Sequence, residues 1–90
     1  MDSGKPDSNQ LQQALSQLHT VLKRTPRVEE ASKRAVRDAL SDIERLLGSG
    51  GAVAEGRSRL QALAVDFEAE HPSLAAGLRE FVDLLGQAGL

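Results

Sequence analysis

Two histidines and a handful of paired acids are the residues of this 90-residue chain whose types could do chemistry. His71 stands directly before Pro72, with Glu68 and Glu70 close upstream. A metal site needs three or four converging ligands held by supporting hydrogen bonds. Glu68, Glu70 and His71 do not share one helical face, and the proline break falls among them. The expected role of His71 is therefore to cap or pack a hinge. His19 flanks Leu15, Leu18 and Leu22, where a single histidine is the boundary residue of an amphipathic helix. Glu68 with Glu70, and Glu80 with Asp83, are the acid pairs. General acid–base work requires burial or a partner charge around such a carboxyl, and carboxylates on a polar helix face are solvated instead. Gly48-Ser49-Gly50-Gly51 follows a helical pattern rather than a strand and lacks the lysine of a phosphate loop. With no cysteine, disulfides, thiolate catalysis and cysteine zinc sites are excluded together. No catalytic residue, cofactor site or metal site is assigned, and an enzyme is not expected.

The charges are more informative by position than in total. Eleven Lys and Arg face thirteen Asp and Glu, so the net charge is −2 and no overall polyelectrolyte character draws the chain to nucleic acid or anionic membrane. Yet Lys23, Arg24, Arg27, Lys33, Arg34 and Arg37 crowd into residues 23–37, where Glu29 and Glu30 leave a net of +4. From Leu60 onward Arg79 alone opposes Asp66, Glu68, Glu70, Glu80 and Asp83, a net of −4. The sharp reading of the basic segment is a phosphate-contacting patch. The bland reading is that Glu29 with Lys33, Glu30 with Arg34, and Arg34 with Asp38 pair at i, i+4 along one helix, each for ~0.2–0.5 kcal/mol. No aromatic platform for single strands accompanies the patch.

These side chains must be carried by helices, because no stretch alternates with period two. Residues 1–7 read as a disordered lead. A first helix, 8–24, carries Leu11, Leu15, Leu18 and Leu22 at spacings of four, three and four, the seam of a bundle helix or coiled coil. Asp7 or Ser8 is expected to cap it. Thr25-Pro26 breaks it, with Thr25 expected to cap the next helix and Pro26 to occupy its first position. The second helix, 27–47, has a wide apolar face from Val28 through Ala31, Ala35, Val36, Ala39, Leu40, Ile43 and Leu46 to Leu47, suited to more than one neighbour. A Gly-rich linker, 48–56, follows. The third helix, 57–70, is expected to start near Ser58, since Gly56 costs about 1 kcal/mol inside a helix. Pro72 opens the fourth, 72–86, with Leu74, Leu78, Phe81, Val82 and Leu85 on its apolar face. Gly86 and Gly89 are expected to stop it.

The start of the sequence is polar and has no apolar run of signal-peptide type. Its longest apolar run, Ala62 to Val65, is far below the ~20 residues of a membrane span. A soluble, cytoplasmic protein is expected.

Leu15, Leu18-His19 and Leu22, then Asp42-Ile43 and Leu46-Leu47, then Phe67-Glu68, His71-Pro72 and Leu74-Ala75, with Leu85 and the Gly89-Leu90 ending, carry a resemblance. Over Leu11 to Leu90 the chain resembles a small bacterial family of short, cysteine-free, all-helical proteins known as a domain of unknown function. It departs at the end, with Ala88-Gly89-Leu90 where that pattern has Met-Gly-Ile. The resemblance implies architecture rather than an activity. Glu68 and His71 are the neighbouring polar members of the motif, so the hinge of Phe67, Glu68, His71 and Pro72 is where a family site would be sought.

The expected fold is all-α: two helical hairpins forming a small four-helix bundle in residues 8–90, or a first hairpin that pairs with its twin in a dimer. The seam of Leu11, Leu15, Leu18 and Leu22 is the candidate self-association surface. The expected function is a non-enzymatic protein-interaction or structural module acting through apolar helix faces, as a homo-oligomer or with a protein partner. It should expose an apolar patch of several hundred Å². The alternative is nucleic-acid binding through segment 23–37.

Overall fold

The computed structural model describes residues 8–90, so the expected lead at 1–7, and Asp7 as a cap, lie outside the described residues. Four helices follow one another: α1 (Ser8–Arg24), α2 (Glu30–Ser49), α3 (Ala54–Phe67) and α4 (Pro72–Gln87). Among the described residues there is no strand, and no helix there is long and apolar enough to cross a membrane. The fold is an all-α four-helix bundle.

Each helix packs on two others in a closed ring, and the diagonal pairs α1–α3 and α2–α4 do not approach. The α3–α4 interface is the most extensive. The α1–α2 interface, although it joins sequence neighbours, is the least. Leu15, Leu18 and Leu22 of α1, Val36, Leu40 and Ile43 of α2, Leu60 and Phe67 of α3, and Leu74, Leu78, Phe81 and Leu85 of α4 meet in one core. Burying each such side chain contributes roughly 1.5–3 kcal/mol. Two fringe positions differ from the wide face expected for α2. Ala31 and Ala35 are exposed, on a helix whose interface with α1 is the least extensive of the bundle.

The helix ends show where local signals were followed and where packing overrode them. Thr25 does not cap α2. Its hydroxyl donates to the Val21 carbonyl at 2.7 Å, and its amide to the same oxygen at 3.0 Å, so Thr25 closes α1 instead. Pro26 lies in the turn, Arg27 takes a left-handed φ of 65°, and Val28 is buried before α2 begins at Glu30. At the far end of α2 Gly50 adopts φ 74°, and the Gly51 amide reaches back to the Leu46 carbonyl at 2.8 Å, a Schellman closure.

The third helix starts at Ala54, not near Ser58, and Gly56 lies in its first turn. A Cβ there would stand 2.7 Å from Ile43 Cγ1, so the missing side chain is what lets α3 lie against α2. Contact with α2 and burial of Val53 outweigh the poor helix propensity of glycine. Phe67 ends α3, three residues earlier than expected, and the His71 amide donates to its carbonyl at 2.7 Å. Pro72 opens α4 as its missing N–H permits. Gly86 does not stop that helix. It runs to Gln87, and the Leu90 amide then reaches back to the Leu85 carbonyl at 2.9 Å.

Candidate functional site

The leucine seam is an interior feature. Leu11, Leu15, Leu18 and Leu22 are all at most 5% exposed, covered by the chain's own helices, so they form no outward surface for a second copy. The 4-3-4 spacing set the direction of burial correctly, but it could not say whether the covering helix comes from the same chain. Val65, at 60%, is the large hydrophobic residue left exposed among the described residues, while Leu46, Leu47, Leu63, Val82 and Leu84 form a half-buried fringe.

The basic residues divide sharply by position. Arg45 pairs with Asp42 at 3.2 Å, and Arg59 bridges Asp42 at 3.3 Å and Glu55 at 3.2 Å, tying α3 to α2. Arg79 of α4 pairs with Glu68, and Arg57 of α3 donates to the Leu90 carbonyl. In contrast, Lys23, Arg24, Arg27, Lys33, Arg34 and Arg37 have no ion-pair partner among the described residues. The i, i+4 pairs expected of Glu29, Glu30 and Asp38 do not form, so the carboxylates do not cover the cations.

The structure splits those six residues between two surfaces. On one flank of the α1–α2 hairpin, a shallow concavity of about 240 Å³ is lined by His19, Thr20, Leu22, Lys23 and Arg37, with no carboxylate. Lys33 lies one turn before Arg37 on the same row of α2, and Arg34 is exposed beside it. At the end of the bundle, Arg24 and Arg27 instead face the α3–α4 turn across a larger concavity of about 650 Å³. His71 and Ser73 line its opposite side. A third groove, about 440 Å³, runs between α1 and α4 with Leu18, Val21, Phe81 and Leu84 at its base and Glu80 and Asp83 among its polar groups.

The hinge motif has a structural role that its residues explain. Phe67 is buried, and the His71 ring stands edge-on to it at 5.9 Å between centroids. Glu68 reaches Arg79 across to α4. Glu68 and His71 thus serve different contacts, and the acid pairs Glu68–Glu70 and Glu80–Asp83 stay exposed. Among the described residues, no three histidines or acids converge on a point that could hold a metal ion. The meeting of Arg24 and Arg27 with the hinge was missed from the sequence. The signal was present, because an up-down bundle brings its first and third turns to the same end.

Over residues 11–90 the chain matches the family described as Domain of unknown function (DUF4404), and it belongs to that family. No curated protein and no solved structure matches it.

Proposed function

We propose that this protein is a non-enzymatic interaction module that docks an acidic protein surface on the cationic flank of its α1–α2 hairpin. The observation that carries this reading is that the basic residues of segment 23–37 form no ion pair among the described residues, while Arg45, Arg57, Arg59 and Arg79 are each engaged. A fold that leaves its cations unneutralised on one flank offers charge for steering and register to a partner of opposite sign. The interior place of the leucine seam moves the docking surface from the apolar faces to this flank. His19, Lys23, Lys33, Arg34 and Arg37 are its members.

The test is affinity capture from nuclease-treated extract of the source cells, comparing the wild-type chain with a Lys23→Glu, Arg34→Glu, Arg37→Glu variant. A protein recovered by wild type at low salt, and lost both at high salt and with the variant, is expected. Equal recovery by both chains counts against the flank. A second reading, nucleic acid, draws on the absence of any carboxylate in the His19–Lys23–Arg37 concavity. It requires binding to duplex DNA or RNA that falls steeply between 50 and 200 mM salt, about tenfold or more for several phosphate contacts. No shift of a labelled duplex at 50 mM salt removes it.

A further inference from the structure

We infer that the concavity between the two proline turns is a binding site for a phosphate group, separate from the α1–α2 flank and not dependent on it. The Thr25-Pro26 turn brings Arg24 and Arg27 to one wall, and the His71-Pro72 turn brings His71 and Ser73 to the other. Neither guanidinium has an ion-pair partner among the described residues, and Glu70, a carboxylate that also lines the concavity, pairs with neither. The Ser73 hydroxyl likewise has no hydrogen-bond partner among the described residues. Two guanidiniums, a hydroxyl and an imidazole make a donor-rich set. It matches the acceptor oxygens of a phosphate monoester, which arginine forks bind in bidentate fashion. The volume of about 650 Å³ leaves room for a small organic group attached to the phosphate.

The backbone of Arg27 adds a second argument. Its φ of 65° is a left-handed conformation that glycine adopts without cost and that other residues adopt rarely. The turn is fixed in place on one side by the doubly bonded Val21 carbonyl. A glycine at position 27 would relieve the turn, yet the chain keeps a long cationic side chain there, at the rim of the concavity. Backbone strain held at one residue points from structure to use when that side chain also lines a site.

The experiment is a titration of the full chain with inorganic phosphate, followed by amide chemical shifts at ionic strength held constant with sodium chloride. Saturable shifts at Arg24, Arg27, His71 and Ser73 are expected. Glycerol 3-phosphate should produce the same set of shifts, and a short DNA duplex distinguishes a free phosphate ester from a nucleic-acid backbone as the source. Arg27→Gly should weaken phosphate binding by roughly tenfold or more, the loss of a charge-assisted hydrogen-bonding group. Its thermal midpoint should stay the same or rise, since glycine suits the left-handed turn. Arg24→Ala should weaken binding comparably, and Arg37→Ala, on the other flank, should change it less than twofold. The inference is overturned by an absence of saturable shifts up to 50 mM phosphate. Shifts confined to the Lys23–Arg37 flank, or unchanged affinity in both Arg27→Gly and Arg24→Ala, would overturn it equally.

Discussion

The two hairpins of this bundle use similar residues in opposite ways. In the second, α3 and α4 form the most extensive interface of the molecule, and each arginine is tied to structure: Arg57 to the Leu90 carbonyl, Arg59 to Asp42 and Glu55, Arg79 to Glu68. In the first, α1 and α2 share the least extensive interface, and none of the basic residues from Lys23 to Arg37 is paired among the described residues. The second hairpin builds the fold, and the first hairpin is held by it, chiefly through α1 on α4 and α2 on α3. The unpaired cations of the first hairpin are the ones on which the proposed docking flank and phosphate site draw.

The largest effect that sharpens this contrast is in the core. Phe81, 1% exposed on α4, sits where α4 serves both α3 and α1. Phe81→Ala should cost about 3–5 kcal/mol, a large part of the stability of a domain this size. Leu11, 5% exposed near the start of α1, should cost about 2 kcal/mol when changed to alanine, the low end for such truncations, because a helix end can relax into the space. Urea unfolding followed by circular dichroism measures both, since the chain has no Trp or Tyr to report by absorbance or fluorescence. Equal costs would break the claim that the second hairpin carries the fold.

Next in size is a pair of glycine substitutions with opposite expected signs. At Gly56 an added Cβ would lie 2.7 Å from Ile43 Cγ1 and 3.1 Å from its Cδ1, inside a fully buried contact. Gly56→Ala should destabilise by about 1 kcal/mol net, as overpacking of ~1–3 kcal/mol exceeds the gain in helix propensity. Gly48, near the end of α2, has nothing within 4 Å of the same position. Gly48→Ala should stabilise by about 0.5–1 kcal/mol through propensity alone. Matching signs in thermal unfolding would mean that the α2–α3 approach does not depend on the missing side chain.

Most of the fold was legible in the sequence because its signals are local. Four-three-four leucine spacing gave α1, and Pro72 gave the start of α4 to the residue. What was not legible is nonlocal. Gly56 looked like a boundary by propensity, but Ile43, thirteen residues earlier, makes it an interior contact. Thr25 looked like a cap for α2, yet its hydroxyl had a nearer acceptor in the last turn of α1. The leucine seam pointed outward or inward equally well until α4 was placed beside it. The basic segment was visible as a run of charge, but its division into a flank and an end site depends on α4 arriving next to Arg24. The sequence pattern therefore joined six cations into one patch, where the structure parts them between a hairpin flank and the end of the bundle.

The smallest effect tests the contrast on its own terms, through salt. Arg79 and Glu68 pair across the α3–α4 turn with side chains about half exposed, at 50% and 55%. Such a pair contributes ~0–1 kcal/mol and is screened by added salt. Arg79→Ala should therefore lower stability by up to about 0.5 kcal/mol at 20 mM salt and by less at 500 mM. Arg34→Ala removes an exposed cation with no partner among the described residues, so its effect should stay within about ±0.5 kcal/mol, with none of that salt-weakened loss. Relief of repulsion among the neighbouring cations even favours a slight gain at low salt, which added salt would erase. The two variants thus respond to salt with opposite sign, although both delete one arginine from a helix surface. If Arg34→Ala instead loses stability in a salt-sensitive way, Arg34 is paired in solution after all, and the first hairpin spends its charges on its own fold just as the second does.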